Sequence, residues 1–271
     1  MNTDPPDHQQ EMDARIRELE AELTACQQRI HQLEESWEQW LRIISHDLRG
    51  PLTLILGYTQ TALHGLRNQP SSSRARQDLE AVVTAARRLD KMVAEIVDAA
   101  RLEAHLLMLS PTAIELAPIV SEQVRRAGRR YPDRVIENRI SSDLPLVEGD
   151  PSRVGQIIAE ILSNALTFST CSIHITAHPE PGRVVLAVTD RGVGITPDEM
   201  PRIFDRFYRP ERCREIYREG LGLGLHVAQQ LARHMGGDLW AESPGTGRGS
   251  TFYFSLPIAD SPVIDRGDGA P

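Results

Sequence analysis

The chain has 271 residues, 40% hydrophobic and 25% charged, which suits one or two soluble domains with apolar cores. Its net charge of −8 and its pI of about 5.6 argue against nucleic acid or an anionic membrane as the main partner. The three cysteines lack metal-ligand spacing, no apolar run approaches the roughly 20 residues that cross a bilayer, and the acidic N-terminus is unlike a signal peptide. We therefore expect a cytoplasmic protein without a direct membrane span.

The first predicted element is a long helix that follows a disordered N-terminus over residues 1–10. Hydrophobic residues recur at alternating steps of four and three from Met12 to Ile44, which predicts a coiled coil or signalling helix over residues 11–40. An amphipathic helix packed on its own domain is the alternative. Cys26 falls at a d position, where it would face its twin in a parallel dimer, either as a core residue or as an oxidant-sensitive crosslink.

The stretch ISHDLRGPL places a histidine beside an aspartate and a helix-disturbing proline five residues later. The surrounding apolar positions direct His46 away from the hydrophobic seam. Pro51 cannot donate a hydrogen bond to the carbonyl of Asp47, four residues earlier, and is expected to bend the helix. A packing helix needs none of these features, so the pattern favours a functional role for His46.

Residues 41–110 are predicted to form two long helices. The segment 64–76 contains glycine, proline and three serines, which interrupt the first helix, and a second apolar stripe runs from Leu79 to Ala100. Two such helices form an antiparallel hairpin, and two hairpins in a homodimer would form a four-helix bundle.

After a linker marked by Pro111 and Pro118, helices and strands alternate over residues 113–258, as in one α/β sandwich domain. Helices are predicted at 119–130, 150–169 and 224–237, and extended segments at 134–140, 172–178, 183–190, 238–243 and 250–257. The tail 259–271 is expected to be disordered. The predicted fold class is α+β, with the coiled coil and the helical hairpin preceding the sandwich.

The helix predicted over 150–169 carries a candidate metal site. Asp150 is suited to cap it, and Pro151 occupies its first position. Glu160 and Asn164 lie four residues apart outside the apolar stripe, where their oxygens can approach one hard cation. Both residue types are common on surfaces, so the pair alone has little specificity.

Two glycine-rich segments indicate close approach of the backbone to a ligand. In DRGVG, Asp190 ends a strand, and Gly192 and Gly194 let the chain turn. The segment GLGLGL (220–225) opens a helix whose amides suit a phosphate, although its spacing differs from the dinucleotide-binding pattern. Between them, residues 202–219 are aromatic and charged, which is typical of a mobile lid.

The order of these motifs, followed by a GSTF strand, closely resembles the ATP-binding domain of sensor histidine kinases, a branch of the superfamily that includes Hsp90, gyrase and MutL. ISHDLRGPL resembles the phospho-acceptor box of the same kinases. The resemblance covers about residues 38–257. It implies a HisKA-type dimerisation and phosphotransfer domain followed by a Bergerat-type α/β sandwich.

The resemblance implies a role for each matching residue. Asn164 would ligate Mg²⁺ on the ATP phosphates, with Glu160 as a second ligand or a base, and Asp190 would accept the adenine amino group. The remaining implied contacts with the nucleotide come from Gly192, Gly194, Phe204, Phe207, Arg209, Gly220, Gly222, Gly224 and Thr251.

His46 would attack the γ-phosphorus of ATP and become phosphohistidine, while Asp47 orients the ring or takes its proton. The phosphoryl group would then pass to an aspartate of a response-regulator receiver domain. The alternatives are a superfamily ATPase that drives conformational change, which Glu160 favours, and a dimeric pseudokinase scaffold. A separate sensor protein is one candidate source of the signal.

The sequence departs from the family at two positions. Thr167 stands where these kinases commonly have a lysine that meets the phosphates, and Lys91, the only lysine in the chain, falls in the other predicted domain. We expect weaker ATP binding, which Thr167→Lys would improve. Gly50 stands where members that dephosphorylate their regulator carry Thr or Asn, so we expect little phosphatase activity.

Overall fold

The computed structural model describes residues 15, 27 and 44 and the ranges 47–62, 73–104, 106–213 and 220–259, with the side chains of 73–75 excepted. His46, Cys26, residues 1–10, the tail from 260 onward and most of the predicted coiled coil lie outside the described residues. The chain divides into two compact units, residues 1–89 and 90–271. The domain boundaries at 41–110 and 113–258 stay predictions.

The helical region consists of α1, in which residues 47–62 are described, and α2, Ser73–Glu103. The described part of α2 begins at Ser73, inside the segment predicted to break the helix. Pro51 is buried within α1, and the helix continues through it. Threonine hydroxyls in α1 donate to the carbonyls four residues earlier at 2.6–2.8 Å, a pattern that weakens and bends helices.

The second unit contains a five-stranded sheet with the order β2-β4-β5-β7-β6. Its strands are β2 (Ile136–Asn138), β4 (Ile173–Glu180), β5 (Arg183–Asp190), β6 (Asp238–Glu242) and β7 (Ser250–Pro257). Only the edge pair of β2 and β4 is parallel, and the other neighbours are antiparallel. A smaller antiparallel pair joins β1 (Thr112–Ile114) to β3 (Val147–Gly149).

Part of the predicted linker is therefore ordered structure. Strand β1 and the start of the helix α3 (Leu116–Arg130) occupy the interval between Pro111 and Pro118. The pairing of β1 with β3 explains this order, because the hydrogen-bond partner lies more than thirty residues later in the chain. A three-residue strand has too few positions for a periodic signal.

Helix α4 (Pro151–Phe168) forms the middle of the core. Asp150 caps it, accepting hydrogen bonds from the amides of Ser152 and Arg153 at 2.9 and 3.3 Å. Its apolar stripe is fully buried and comprises Val154, Ile157, Ile158, Ile161 and Leu162. The stripe packs between α3, α5 (Gly224–His234) and the sheet.

The predicted fold class is confirmed, since a helical N-terminal region precedes a mixed α/β sheet domain. In the parts of the chain that the structure describes, no helix is both long enough and apolar enough to cross a membrane.

Candidate functional site

A cavity in the second unit collects residues from most of the motifs identified in the sequence. It lies between α4, the loop after β5, the segment around residue 209 and the start of α5. The predicted site residues that line it are Glu160, Asn164, Asp190, Gly194, Arg209, Gly220, Gly222 and Gly224. The fold thus joins motifs that are separated by up to 64 positions in the sequence.

Asp190 provides a buried carboxylate at the end of β5. Its side chain accepts hydrogen bonds from the amide of Gly192 at 2.7 Å and from the Ser250 hydroxyl at 2.5 Å. Ser250 lies directly opposite Asp190 in the ladder of β5 and β7. These two donors fix the orientation of the carboxylate, whose remaining lone pairs can accept a hydrogen bond from a ligand amino group.

The loop after Asp190 is closely packed against other backbone segments. A Cβ on Gly192 would lie 2.1 Å from the carbonyl oxygen of Phe168, and one on Gly194 would lie 2.1 Å from that of Gly245. Gly194 also has a φ of +68°, which side chains disfavour. Gly192 therefore shapes the loop, whereas Gly194 lines the cavity itself.

The glycine-rich segment brings the start of α5 to the cavity. Gly220 and Gly222 have positive φ angles, and α5 begins at Gly224. A Cβ on Gly224 would lie 2.1 Å from Oε1 of Glu160, so this carboxylate lies directly against the first turn of α5. The unpaired amides at a helix start favour anions such as phosphate.

Glu160 and Asn164 fit a magnesium ion bound to phosphate. They lie one turn apart on α4, and both line the cavity. Among the described atoms, Nδ2 of Asn164 is buried and has no hydrogen-bond partner. Rotation of the amide by 180° would turn its oxygen to that position, and carboxylate and amide oxygens are suitable ligands for Mg²⁺.

The remaining predicted contacts surround the cavity without appearing among its described lining residues. The hydroxyl of Thr251 lies 3.1 Å from that of Thr189, while its neighbours Ser250 and Phe252 line the cavity. Phe204 packs edge-on against Phe252, with the ring centroids 6.5 Å apart. Phe207, at φ +60°, donates from its backbone amide to the carbonyl of Gly222 at 3.0 Å.

Two residues of α2 line the cavity and were missed in the sequence. The Nζ atom of Lys91 lies 2.8 Å from Oε2 of Glu160 and 3.5 Å from Oε1 of Glu95. Burial, followed by the negative charge of Glu160, raises the pKa of Glu95 to about 7 against the lowering effect of Lys91. The only feature of the sequence that could have drawn attention to Lys91 is that it is the single lysine of the chain.

A second missed pair is formed by Glu199 and Arg212, which also line the cavity. Hydrogen bonds from Arg212, together with those from Thr196, outweigh desolvation and lower the pKa of Glu199 to about 2. In the sequence, Glu199 and Arg212 are one acidic and one basic residue among many in charged loops, so nothing marks them as a pair.

The predicted phospho-acceptor residues belong to the first unit. Asp47 is half-exposed on α1, and His46 lies outside the described residues.

Comparisons with known families give two matches in this chain. Residues 36–105 match the His Kinase A (phospho-acceptor) domain. Residues 149–260 match the histidine kinase-, DNA gyrase B-, and HSP90-like ATPase family. The first match contains His46, and the second contains every predicted nucleotide-binding residue.

Similar whole proteins include the adaptive-response sensory kinase SasA of Synechococcus elongatus, which is 30% identical over 234 residues. The sensor protein SrrB of Staphylococcus aureus is 26% identical over 230 residues. The matched regions comprise 82% and 84% of this chain, but 59% and 39% of the relatives. The chain thus spans less than two thirds of the length of these relatives.

Two solved structures resemble the fold. Full-length ShkA in complex with AMPPNP is 26% identical with a TM-score of 0.60, over 82% of this chain and 46% of ShkA. The Acinetobacter baumannii histidine kinase AdeS is 20% identical with a TM-score of 0.60, over 79% of this chain and 98% of AdeS. The likeness to AdeS concerns the fold alone.

Proposed function

We propose that this chain, which belongs to the sensor histidine kinases of two-component systems, uses ATP to phosphorylate its own His46. The phosphoryl group then passes to an aspartate in the receiver domain of a response regulator. The observation that carries the proposal is the cavity that joins Asp190, Asn164 and the start of α5, in a chain that also matches a phospho-acceptor domain around His46.

The nucleotide binds with its adenine at Asp190 and its phosphates at the start of α5. The buried carboxylate accepts a hydrogen bond from the adenine amino group, and the helix amides donate to phosphate oxygens. The similar protein ShkA was solved in complex with AMPPNP, which supports binding of an adenine nucleotide by this chain. Phe204 and Phe207 support the base of the lid, Arg209 reaches the phosphates, and Thr251 supports the adenine end through Thr189.

Asn164 and Glu160 are the residues that would hold Mg²⁺. When bound, the ion neutralises charge on the phosphates during phosphoryl transfer. The chain contributes the two side-chain oxygens from adjacent turns of α4, a rigid element that fixes their spacing.

His46 acts as the nucleophile. A neutral ring nitrogen forms a bond to the γ-phosphorus, the bond from phosphorus to the bridging oxygen breaks, and ADP leaves. Asp47 orients the ring or accepts the proton from its second nitrogen. The receiver aspartate then takes the phosphoryl group, which returns His46 to its neutral form.

The chain acts as a cytoplasmic homodimer. Apolar side chains on both helices of the first unit are 46–57% exposed in one chain, among them Leu52, Leu56, Leu79 and Val83. A second copy of the hairpin would bury them in a four-helix bundle. The receiver domain is the downstream partner, and a separate sensor protein is a candidate upstream partner.

Labelling with radioactive ATP tests the proposal. The chain should acquire phosphate that is labile in acid and stable in alkali, and His46→Gln should abolish it while ATP binding persists. His64→Gln serves as the matched control. Label that remains on histidine in His46→Gln would exclude His46. Steady ATP hydrolysis without phosphohistidine would instead favour the ATPase, and ATP binding without either reaction would favour the scaffold.

A further inference from the structure

The chain's single lysine lies at one end of the cavity. Helix α2 carries Lys91 and Glu95 one turn apart, and the Lys91 ammonium forms ion pairs with both Glu95 and Glu160 of α4. The Lys91 ammonium is within 2.8 Å of one carboxylate and 3.5 Å of the other. Its side chain is 46% exposed, so it is held by charge and not enclosed by packing.

Helix α4 shows which end of the cavity this is. Near its C-terminal end, the carbonyl of Phe168 accepts a hydrogen bond from Val193 at 3.1 Å, in the loop that follows Asp190. Glu160 lies eight residues earlier on α4, which corresponds to about 12 Å along the axis. Lys91, which is bound to Glu160, is therefore about 12 Å along α4 from the loop that follows the proposed adenine site.

The charges at this end require a cation. Glu160 contacts the first turn of α5, where phosphates are proposed to bind, and Glu95 is largely buried beside it. Negative charge on Glu160 and Glu95 would repel a triphosphate, and, besides the proposed Mg²⁺, Lys91 is the cation that contacts both side chains. The other two basic residues in the described lining are Arg209 and Arg212, and Arg212 is engaged with Glu199 and the carbonyl of Gly194.

We propose that Lys91 is a nucleotide-binding residue whose ammonium contacts the terminal phosphate of ATP, and that Glu95 and Glu160 position it before the nucleotide arrives. The proposal rests on the proposed function of the cavity as an ATP site. On binding, the ammonium exchanges a carboxylate oxygen for a phosphate oxygen, a charge-assisted hydrogen bond of the same kind. Lys91 thereby distinguishes ATP from ADP, which lacks that phosphate.

The first experiment compares nucleotide affinities of the full chain with Mg²⁺ present. Lys91→Met, which keeps the length of the side chain without the charge, should weaken ATP binding about tenfold or more and ADP binding much less. Lys91→Arg should retain most of the preference for ATP. Arg101→Met removes an exposed charge from the same helix and should change neither affinity. Equal changes for ATP and ADP, or no change for either, would overturn the proposal.

The second experiment avoids variants altogether. Because Lys91 is the only lysine, an amine-acetylating reagent can modify only its side chain and the N-terminal amine. Mass spectrometry should show that saturating ATP slows acetylation of Lys91 more than saturating ADP does, with the N-terminus as internal reference. Equal rates with both nucleotides would refute the contact. If the unmodified chain binds no ATP, the proposed function fails instead.

Discussion

Arg212 binds Glu199 through two hydrogen bonds, from Nε to Oε1 at 2.7 Å and from Nη2 to Oε2 at 2.6 Å. The same guanidinium donates to the carbonyl of Gly194 at 2.8 Å, and the amide of Thr196 donates to Glu199 at 2.9 Å. This pair connects the turn Glu211–Cys213 to the loop after β5. It therefore fixes the middle of the segment predicted as a lid, residues 202–219, against the cavity wall.

Glu199→Gln should destabilise the fold in a pH-dependent way. The native pKa of about 2 lies below the usual value of 4.5, so ionised Glu199 stabilises the fold above pH 4.5, and this stabilisation is lost as the pH falls toward 2. We expect the variant to lower the free energy of unfolding at pH 7 by up to about 3 kcal/mol and to match the unmodified chain near pH 2. Urea unfolding across this range measures the difference. The control is Glu211→Gln, at an exposed position in the turn that carries Arg212. A pH-independent difference would contradict this origin.

Glu95→Gln should change the pH dependence of stability in the opposite direction to Glu199→Gln. The native pKa of about 7 lies above the usual 4.5, so the stability associated with this group is complete below pH 4.5 and is lost as the pH rises through 7. The variant should therefore be more stable than the unmodified chain at pH 8, by up to about 3 kcal/mol, and equal to it at pH 4. Thermal unfolding at both pH values tests this. Asp90→Asn, exposed on the same helix, should show no such crossover. Loss of stability at pH 8 would refute the expectation.

Asp190→Asn should weaken ATP binding without unfolding the chain. Asparagine keeps the shape but replaces one acceptor by a donor, which then faces the Gly192 amide or the Ser250 hydroxyl. We expect affinity to fall about 10- to 100-fold, as for loss of a buried hydrogen bond to a charged group. Calorimetric titration with ATP measures this change, and Asp198→Asn, at an exposed site in the following loop, is the control. Unchanged affinity would mean that Asp190 does not bind the base.

Gly194→Ala and Gly182→Ala separate backbone strain from crowding. Both glycines have positive φ, +68° and +78°, but only Gly194 faces a backbone oxygen within 2.1 Å of a new Cβ, whereas nothing lies within 4 Å at Gly182. Gly182→Ala should cost about 1–2 kcal/mol of stability and leave ATP binding intact. Gly194→Ala should cost more and impair binding, because the loop must move. If the two variants lost the same stability in urea unfolding and the same affinity in ATP titration, the whole effect would come from the positive φ.

Gly50→Thr should give the chain some phosphatase activity toward its phosphorylated regulator. Gly50 is exposed on α1, and a Cβ there would meet nothing within 4 Å, so the hydroxyl can be added without a clash. The threonine hydroxyl would supply a hydrogen-bonding group one turn after His46. The regulator's phosphoaspartate is expected to lie next to this histidine during dephosphorylation. The decay of phosphorylated receiver domain with ADP present measures the activity.

The control for this experiment is Gly57→Thr, which makes the same change at an equally open position of α1. Fast dephosphorylation by the unmodified chain would contradict the role assigned to Gly50.

Local signals in the sequence predicted several elements accurately. Strands β5 and β7 have the predicted bounds, and each begins directly after a glycine, Gly182 or Gly249. Helix α4 begins after Asp150 because a capping aspartate and a first-turn proline act locally. The cavity residues in these motifs were predictable for the same reason.

Contacts between distant elements were not predictable. The apolar stripe of α2 indicates which face is buried but not that Lys91 forms an ion pair with Glu160, 69 positions later. Glu199 and Arg212 are 13 residues apart in irregular segments, where no period relates them. Both pairs depend on tertiary packing that a local pattern does not encode.

The eight consecutive residue pairs between β5 and β7 run from Arg183 and Pro257 to Asp190 and Ser250. Asp190 and Ser250, which fix the proposed adenine end, are thus the last pair of this ladder. Their pairing depends on the register of all the pairs before them. A slip of one position would place Asp190 opposite Thr251 and turn the Ser250 hydroxyl to the other face. Insertions and deletions should therefore be tolerated in the turn at 181–182, but neither in the two strands nor in the loop at 243–249, whose backbone bonds to and packs against the loop after Asp190.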